Sequence, residues 1–160
     1  MVVAILGHGT VGGGVYELLK NRSDITVKYV LDRSPIAELG AVSVTDFSTI
    51  LNDGEVDTVV EVMGGLEPAH EYMVAAMRAG KNIVTANKHL LAAYYDELTT
   101  LAKETGIGFR TSAAVGGGIP WLPNLQRLKR IGAVNEICGI MNGTTNYILS
   151  MMHKKGYDYE

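Results

Sequence analysis

The chain has 160 residues, 47% of them hydrophobic and 19% charged, enough for one domain or one domain and part of a second. Fourteen Lys and Arg against seventeen Asp and Glu leave a formal charge of −3, which excludes the basic excess of a nucleic-acid binder. Cys138 is the single cysteine, so no internal disulfide framework exists, and no apolar run reaches the ~18 residues of a membrane span. The opening Met1-Val2-Val3-Ala4-Ile5-Leu6 lacks the basic leader of a signal peptide, and a soluble protein of the reducing cytoplasm is expected.

Short apolar runs alternate with amphipathic ones. Residues 2–6 read as a buried parallel strand. Val11, Val15, Leu18 and Leu19 then share one face of a helix. A second strand is predicted over 26–31 and a short third over 41–44, followed by a helix through Phe47, Ile50 and Leu51. A strand over 56–62 leads to a helix opened by Pro68, carrying Met73, Val74 and Met77 and stopped at Gly80. Strand 81–85, helix 88–104 with its stop at Gly106, and strand 107–111 complete the series. This alternation predicts an α/β fold, a Rossmann-type doubly wound and mostly parallel sheet with right-handed connections. A strand over 132–141 and a helix over 144–155 read as the first strand and helix of a second, α+β domain. The expected division is 1–130 for a dinucleotide-binding domain and 131–160 for the start of a substrate and dimerisation domain. Cys138, in the apolar run Ile137-Cys138-Gly139-Ile140, is expected to be a small core hydrophobe. An uncovered apolar strand at 132–141 also predicts a homo-oligomer.

Nineteen glycines exceed the roughly eleven of average usage, and they gather in short clusters. Gly7-His8-Gly9-Thr10-Val11-Gly12 follows the first strand and opens the first helix. In that context Gly7 permits a tight turn, Gly9 a close approach to a pyrophosphate, and Gly12 the packing of helix on strand. Thr10 and Val11 contribute the unpaired N–H groups of the helix start, which suit phosphates. Asp32, twenty residues after Gly12, ends the second strand where a carboxylate accepts ribose hydroxyls. It favours NAD, while Arg33 beside it leaves NADP open by holding a 2′-phosphate or stacking on adenine. Met63-Gly64-Gly65 and Gly116-Gly117-Gly118 end two further strands on the edge where open sheets bind ligands. Thr85-Ala86-Asn87-Lys88 ends another. Oxidation of an alcohol needs a group for the hydroxyl proton, and lysine can serve. Spacing alone reads Lys88 as a solvated first-turn lysine, although the helix dipole disfavours a cation there. His8, His70, His89 and His153 have no zinc-site spacing.

Together, Gly7-His8-Gly9-Thr10-Val11-Gly12-Gly13-Gly14, Met63-Gly64-Gly65-Leu66-Glu67-Pro68-Ala69, Val84-Thr85-Ala86-Asn87-Lys88-His89-Leu90-Leu91-Ala92 and Val115-Gly116-Gly117-Gly118-Ile119-Pro120 resemble homoserine dehydrogenase. Asn142-Gly143-Thr144-Thr145-Asn146-Tyr147, with its apolar flanks, extends the resemblance over nearly the whole chain. It implies the NAD(P)-linked interconversion of L-homoserine and L-aspartate 4-semialdehyde, on the route to threonine, methionine and isoleucine. By the same resemblance Lys88 is the catalytic lysine, and Met63, Gly64 and Gly65 form the loop beside the nicotinamide. Gly143 and Thr144 begin the homoserine site. The backbone carbonyls of Ser112, Val115, Gly117 and Ile119 resemble a monovalent-cation loop, with Ser112 where the family usually carries Glu. The family's further substrate-binding segment, with its Glu-x-Asp-Pro, is absent, so the chain resembles the cofactor-binding part plus the entrance of the catalytic domain. The expected partners are a small-molecule substrate and a second copy of the chain, with no nucleic acid and no membrane. Two other readings compete. An acylating semialdehyde dehydrogenase would need a reactive cysteine, and a non-catalytic NAD(P)-binding module would bind cofactor without turnover.

Overall fold

The computed structural model describes residues 1–139 and 142–159, and these divide into two compact units, Met1–Trp121 and Leu122–Glu160. The first unit is built on six strands: β1 (Val2–Leu6), β2 (Thr26–Leu31), β3 (Ser43–Val44), β4 (Thr58–Glu61), β5 (Asn82–Thr85) and β6 (Phe109–Arg110). All are parallel, in the order β3-β2-β1-β4-β5-β6. The central strands are short and dominated by Val, Ile and Leu, the composition of a sheet covered on both faces, with Glu61 the charged exception at the end of β4.

Side chains alternate across β1, so successive residues enter different cores. Ala4 and Leu6 point to the face packed by α2 (Phe47–Leu51), α3 (Ala69–Arg78) and α4 (Lys88–Thr105), through Ile50, Met73, Met77, Leu90 and Leu98. Val3 and Ile5 point to the other face, with Val30 and Val60, against α1 (Thr10–Leu19) and the 3-10 segment Ala37–Val42. The caps follow the sequence: Asp46 accepts from Ser48 N–H at the start of α2, and Gly106 closes α4 in the left-handed conformation.

Two expectations change here. Val11 and Leu18 of α1 are exposed, and the packed face runs instead through Gly12, Val15 and Tyr16. The missing side chain at Gly12 lets the helix approach the turn before it, which rotates the contact face toward that glycine. Strand β3 is also shorter than the predicted 41–44, its first part being 3-10.

The second unit holds most of α5 (Trp121–Lys129) and all of α6 (Gly143–Lys155). Helix α5 was not expected from the sequence. No strand forms over 132–139, and positions 140 and 141 of the expected strand lie outside the described residues. A strand needs a neighbour for its N–H and C=O groups, and among the described residues none pairs with this segment. Cys138 is therefore exposed rather than a core residue. Among the described residues no helix is long and apolar enough to cross a membrane.

Candidate active site

The turn from β1 into α1 is compressed at two glycines and open at a third. Gly7 has φ +98°, and a Cβ there would lie 3.0 Å from the Met63 Cα. A Cβ on Gly12 would lie 1.9 Å from the Gly7 carbonyl oxygen, an impossible approach for any other residue. At Gly9 a Cβ would meet nothing within 4 Å, so the turn presents bare backbone to open space. Helix α1 has no side-chain cap and no acidic residue in its first turn. The N–H groups of Thr10, Val11 and Gly12 thus precede the first helical bond, from Gly13 N–H to the Gly9 carbonyl. Unpaired donors and the positive end of the helix dipole suit a pyrophosphate.

Asp32 stands beside this turn, at the end of β2. Its Oδ2 accepts the His8 N–H at 2.8 Å, and its Oδ1 accepts the Arg33 N–H at 2.7 Å. A carboxylate has about four acceptor sites, so capacity remains for a ribose diol. Arg33 is exposed next to it. These residues therefore fit a dinucleotide: glycine backbone and helix start for its phosphates, Asp32 for its ribose.

The exits of β4 and β5 form an open cleft of about 360 Å³ lined by Val11, Val62, Met63, Gly64, Gly65, Ala86, Asn87, Lys88 and His89. It lies at the carboxyl ends of the strands, where open parallel sheets bind ligands. Gly64 and Gly65 both have positive φ, +75° and +73°, which lets the loop turn sharply over the strand end. The structure thus brings together Val11, Met63, Gly64, Gly65 and Lys88, read from the sequence as cofactor and catalytic residues. Lys88 is exposed in the first turn of α4, against the helix dipole.

Three residues that the sequence reading assigned no role hold this cleft together. Glu61 is fully buried at the end of β4. Its Oε2 accepts the Thr85 hydroxyl at 2.6 Å, and its Oε1 accepts the Met63 N–H at 2.9 Å and the Asn87 Nδ2 at 3.3 Å. Asn87 also donates to the Gly65 carbonyl at 2.8 Å and caps α4 by accepting the Leu90 N–H. The Thr85 hydroxyl accepts the Asn87 N–H at 2.9 Å. An Asn directly before a helical run is an N-cap signal, so Asn87 was detectable in the sequence.

Ser112, Val115, Gly117 and Ile119 are not among the residues that line this cleft. Ser112 and Val115 bracket a 3-10 turn in which the Ser112 carbonyl accepts the Val115 N–H at 3.1 Å. Gly117 has φ +59°, and the Ile119 carbonyl accepts the Trp121 N–H at 2.7 Å. Among the described residues no group of three His, Cys, Asp or Glu side chains is gathered for a metal ion. Gly143 and Thr144 open α6 in the second unit, behind an Asn142 cap that accepts the Thr145 N–H at 3.0 Å.

A parallel sheet in this order, with a glycine turn leading into α1 and an acidic residue closing β2, defines a Rossmann-type dinucleotide-binding protein. A family profile described as the NAD-binding domain of homoserine dehydrogenase matches residues 7–111, and one described as homoserine dehydrogenase matches 120–160. The chain belongs to the homoserine dehydrogenase family. It is 39% identical to the homoserine dehydrogenase of Bacillus subtilis over 172 residues, covering 99% of this chain and 40% of that protein. The crystal structure of a homoserine dehydrogenase from Thiobacillus denitrificans superposes with a TM-score of 0.88 at 37% identity, over 98% of this chain and 39% of that one. A hyperthermophilic archaeal homoserine dehydrogenase mutant in complex with NADPH gives a TM-score of 0.68 at 26% identity, over 78% and 47%. The chain thus spans about two fifths of the length of the curated relative it matches.

Proposed function

We propose that this chain carries the cofactor site of a homoserine dehydrogenase, for the NAD(P)-linked interconversion of L-homoserine and L-aspartate 4-semialdehyde in the supply of threonine, methionine and isoleucine. The observation that carries the reading is the cleft that Val11, in the first turn of α1, shares with the Met63–Gly65 loop and Lys88. Gly7, Gly9, Thr10, Val11 and Gly12 would hold the pyrophosphate, and Asp32 with Arg33 the adenosine end. Asp32 favours NAD, while the NADPH complex of the archaeal relative keeps NADP within reach. When bound, the cofactor supplies a hydride acceptor for the alcohol carbon. The chain's part is to orient and to handle the proton. Met63, Gly64 and Gly65 shape the wall of the cleft, and Lys88 holds the substrate hydroxyl proton and returns it in the reverse direction.

Residues 1–130 form the dinucleotide-binding domain in this reading, and 131–160 open the substrate and dimerisation domain. Gly143 and Thr144 begin the homoserine site there. The carbonyls of Ser112, Val115, Gly117 and Ile119 hold a monovalent cation, the protein acts as a homo-oligomer, and its compartment is the cytoplasm. Family membership supports these assignments and displaces the acylating semialdehyde dehydrogenase.

A second reading is a cofactor-binding module that uses the same cleft without turnover. One experiment separates the two. NADH and NADPH are titrated by fluorescence, then homoserine oxidation is followed at saturating NAD+ or NADP+. Binding with turnover supports the enzyme, binding alone the module, and absence of binding overturns both.

A further inference from the structure

Glu61 is the one fully buried carboxylate among the described residues, and no ion pair among them involves it. Taking a carboxylate out of water is costly unless hydrogen bonds compensate. Here three groups donate to it: the Thr85 hydroxyl, the Met63 N–H and the Asn87 amide. All three donate, as suits a carboxylate, which only accepts. Two of the donors, Met63 and Asn87, line the cleft themselves, and Glu61 lies one residue before Val62, which also lines it. Tying two loops together needs only neutral partners. A charge set behind the cleft wall does more, because it acts, beside the Lys88 cation that lines the cleft, on whatever enters.

We propose that Glu61 is a positioning residue with an electrostatic role. Its buried carboxylate locks the Met63–Gly65 loop to the Thr85–Lys88 loop, and its charge makes the cleft favour the cationic, oxidised nicotinamide over the neutral, reduced one. The proposal rests on the reading of the cleft as the nicotinamide site. It differs from a purely structural tie in one respect. A tie affects both cofactor forms alike, whereas a charge separates them.

The test uses the full 160-residue chain and needs no turnover. Dissociation constants for NAD+ and NADH are measured by calorimetry on the wild type, Glu61→Gln and Thr85→Val. Glu61→Gln keeps the size, removes the charge and turns one acceptor into a donor. The lost hydrogen bonds act on both forms alike, and the lost charge should weaken NAD+ about three- to tenfold more than NADH. Thr85→Val removes a hydrogen bond and keeps the charge, so both forms should change by the same factor. Equal effects of Glu61→Gln on the two forms would overturn the electrostatic role. So would a change of the NAD+ to NADH ratio in Thr85→Val as large as in Glu61→Gln. If Glu61→Gln does not fold, the wild type decides: NAD+ binding more tightly than NADH supports the proposal, and the reverse order overturns it. A wild type that binds neither form removes the cofactor reading, and this proposal with it.

Discussion

The Asp32 carboxylate accepts the backbone N–H of His8 at 2.8 Å, which joins the tip of β2 to the glycine turn after β1. Asp32 is thereby held in place by the glycine turn itself. Asp32→Asn cannot accept from His8, Arg33 and a ribose diol with two full oxygens. NAD affinity should fall about tenfold, and the preference over NADP should narrow. Parallel calorimetric titrations with the two cofactors check this, and an unchanged preference counts against a ribose role.

Two glycines of the same turn should respond in opposite ways. Gly9 is open and has φ −73°, so Gly9→Val should fold normally yet lose cofactor binding. A Cβ on Gly12 collides with the Gly7 carbonyl, so Gly12→Ala should be destabilised by about 3 kcal/mol, the upper range of overpacking. That corresponds to a fall in Tm of roughly 6–12 °C. Melting curves and NADH titration on both variants separate binding from folding, and retained affinity in Gly9→Val would refute the pyrophosphate assignment.

Lys88 lines the cleft without belonging to the Glu61 network. In an enzyme carrying this segment and a complete substrate site, Lys88→Ala should leave NAD affinity nearly intact. Turnover should fall ~100- to 10,000-fold, the usual scale of a lost general acid–base group. Lys88→Arg should not rescue it, since guanidinium keeps its proton near neutral pH. Loss of NAD binding with catalysis per bound cofactor unchanged would make Lys88 a cofactor residue instead.

Asp53 links β2 to the loop before β4. Its Oδ2 lies 2.6 Å from Lys28 Nζ and accepts the Tyr29 hydroxyl at 2.8 Å. The hydrogen bond from Lys28, then those from the Glu55 N–H and Tyr29, hold its pKa at about 2, below the ordinary 3.8. A depressed folded value means that the stabilisation is complete above the unfolded value and lost as pH falls through about 2. Urea unfolding should find Asp53→Asn less stable than wild type at neutral pH, with the gap closing between about pH 4 and pH 2. A gap independent of pH would show that the charge on Asp53 contributes nothing.

The parts of the fold that were legible are those where one local signal dominates. Strand β1 is an uninterrupted apolar run and β2 a largely apolar one broken by Lys28, and both form over the expected residues. Helix α5 lies between Pro120 and Lys129, in a stretch for which the sequence reading gave no element. Pro123 falls in the helix's first turn, where no intrahelical N–H is needed. Apolar content alone suggested a strand near residue 135, but pairing is a property of neighbours, and sequence periodicity carries none of that information. The same limit applied to Glu61. An acidic residue at the end of a strand ordinarily faces water, and the donors that bury it come partly from β5 and its loop, 24 and 26 residues away. Fingerprint residues were visible because their spacing is short. The group that organises the cleft was not, because its partners are distant in the chain.

The strand order has a consequence for how the protein is made. Strand β1 sits between β2 and β4, so the sheet stays one-sided until residues 58–61 have been synthesised. After that it grows outward on that side by one neighbour at a time, β5 and then β6. Every residue lining the cleft lies between Val11 and His89, and the last strand closes at Arg110. A growing polypeptide therefore carries the complete cleft while residues beyond Arg110 are still inside or near the ribosome. Domains generally fold from the N-terminal end during synthesis. Cofactor present at that moment would stabilise the partly synthesised chain, and nicotinamide supply would then set its yield.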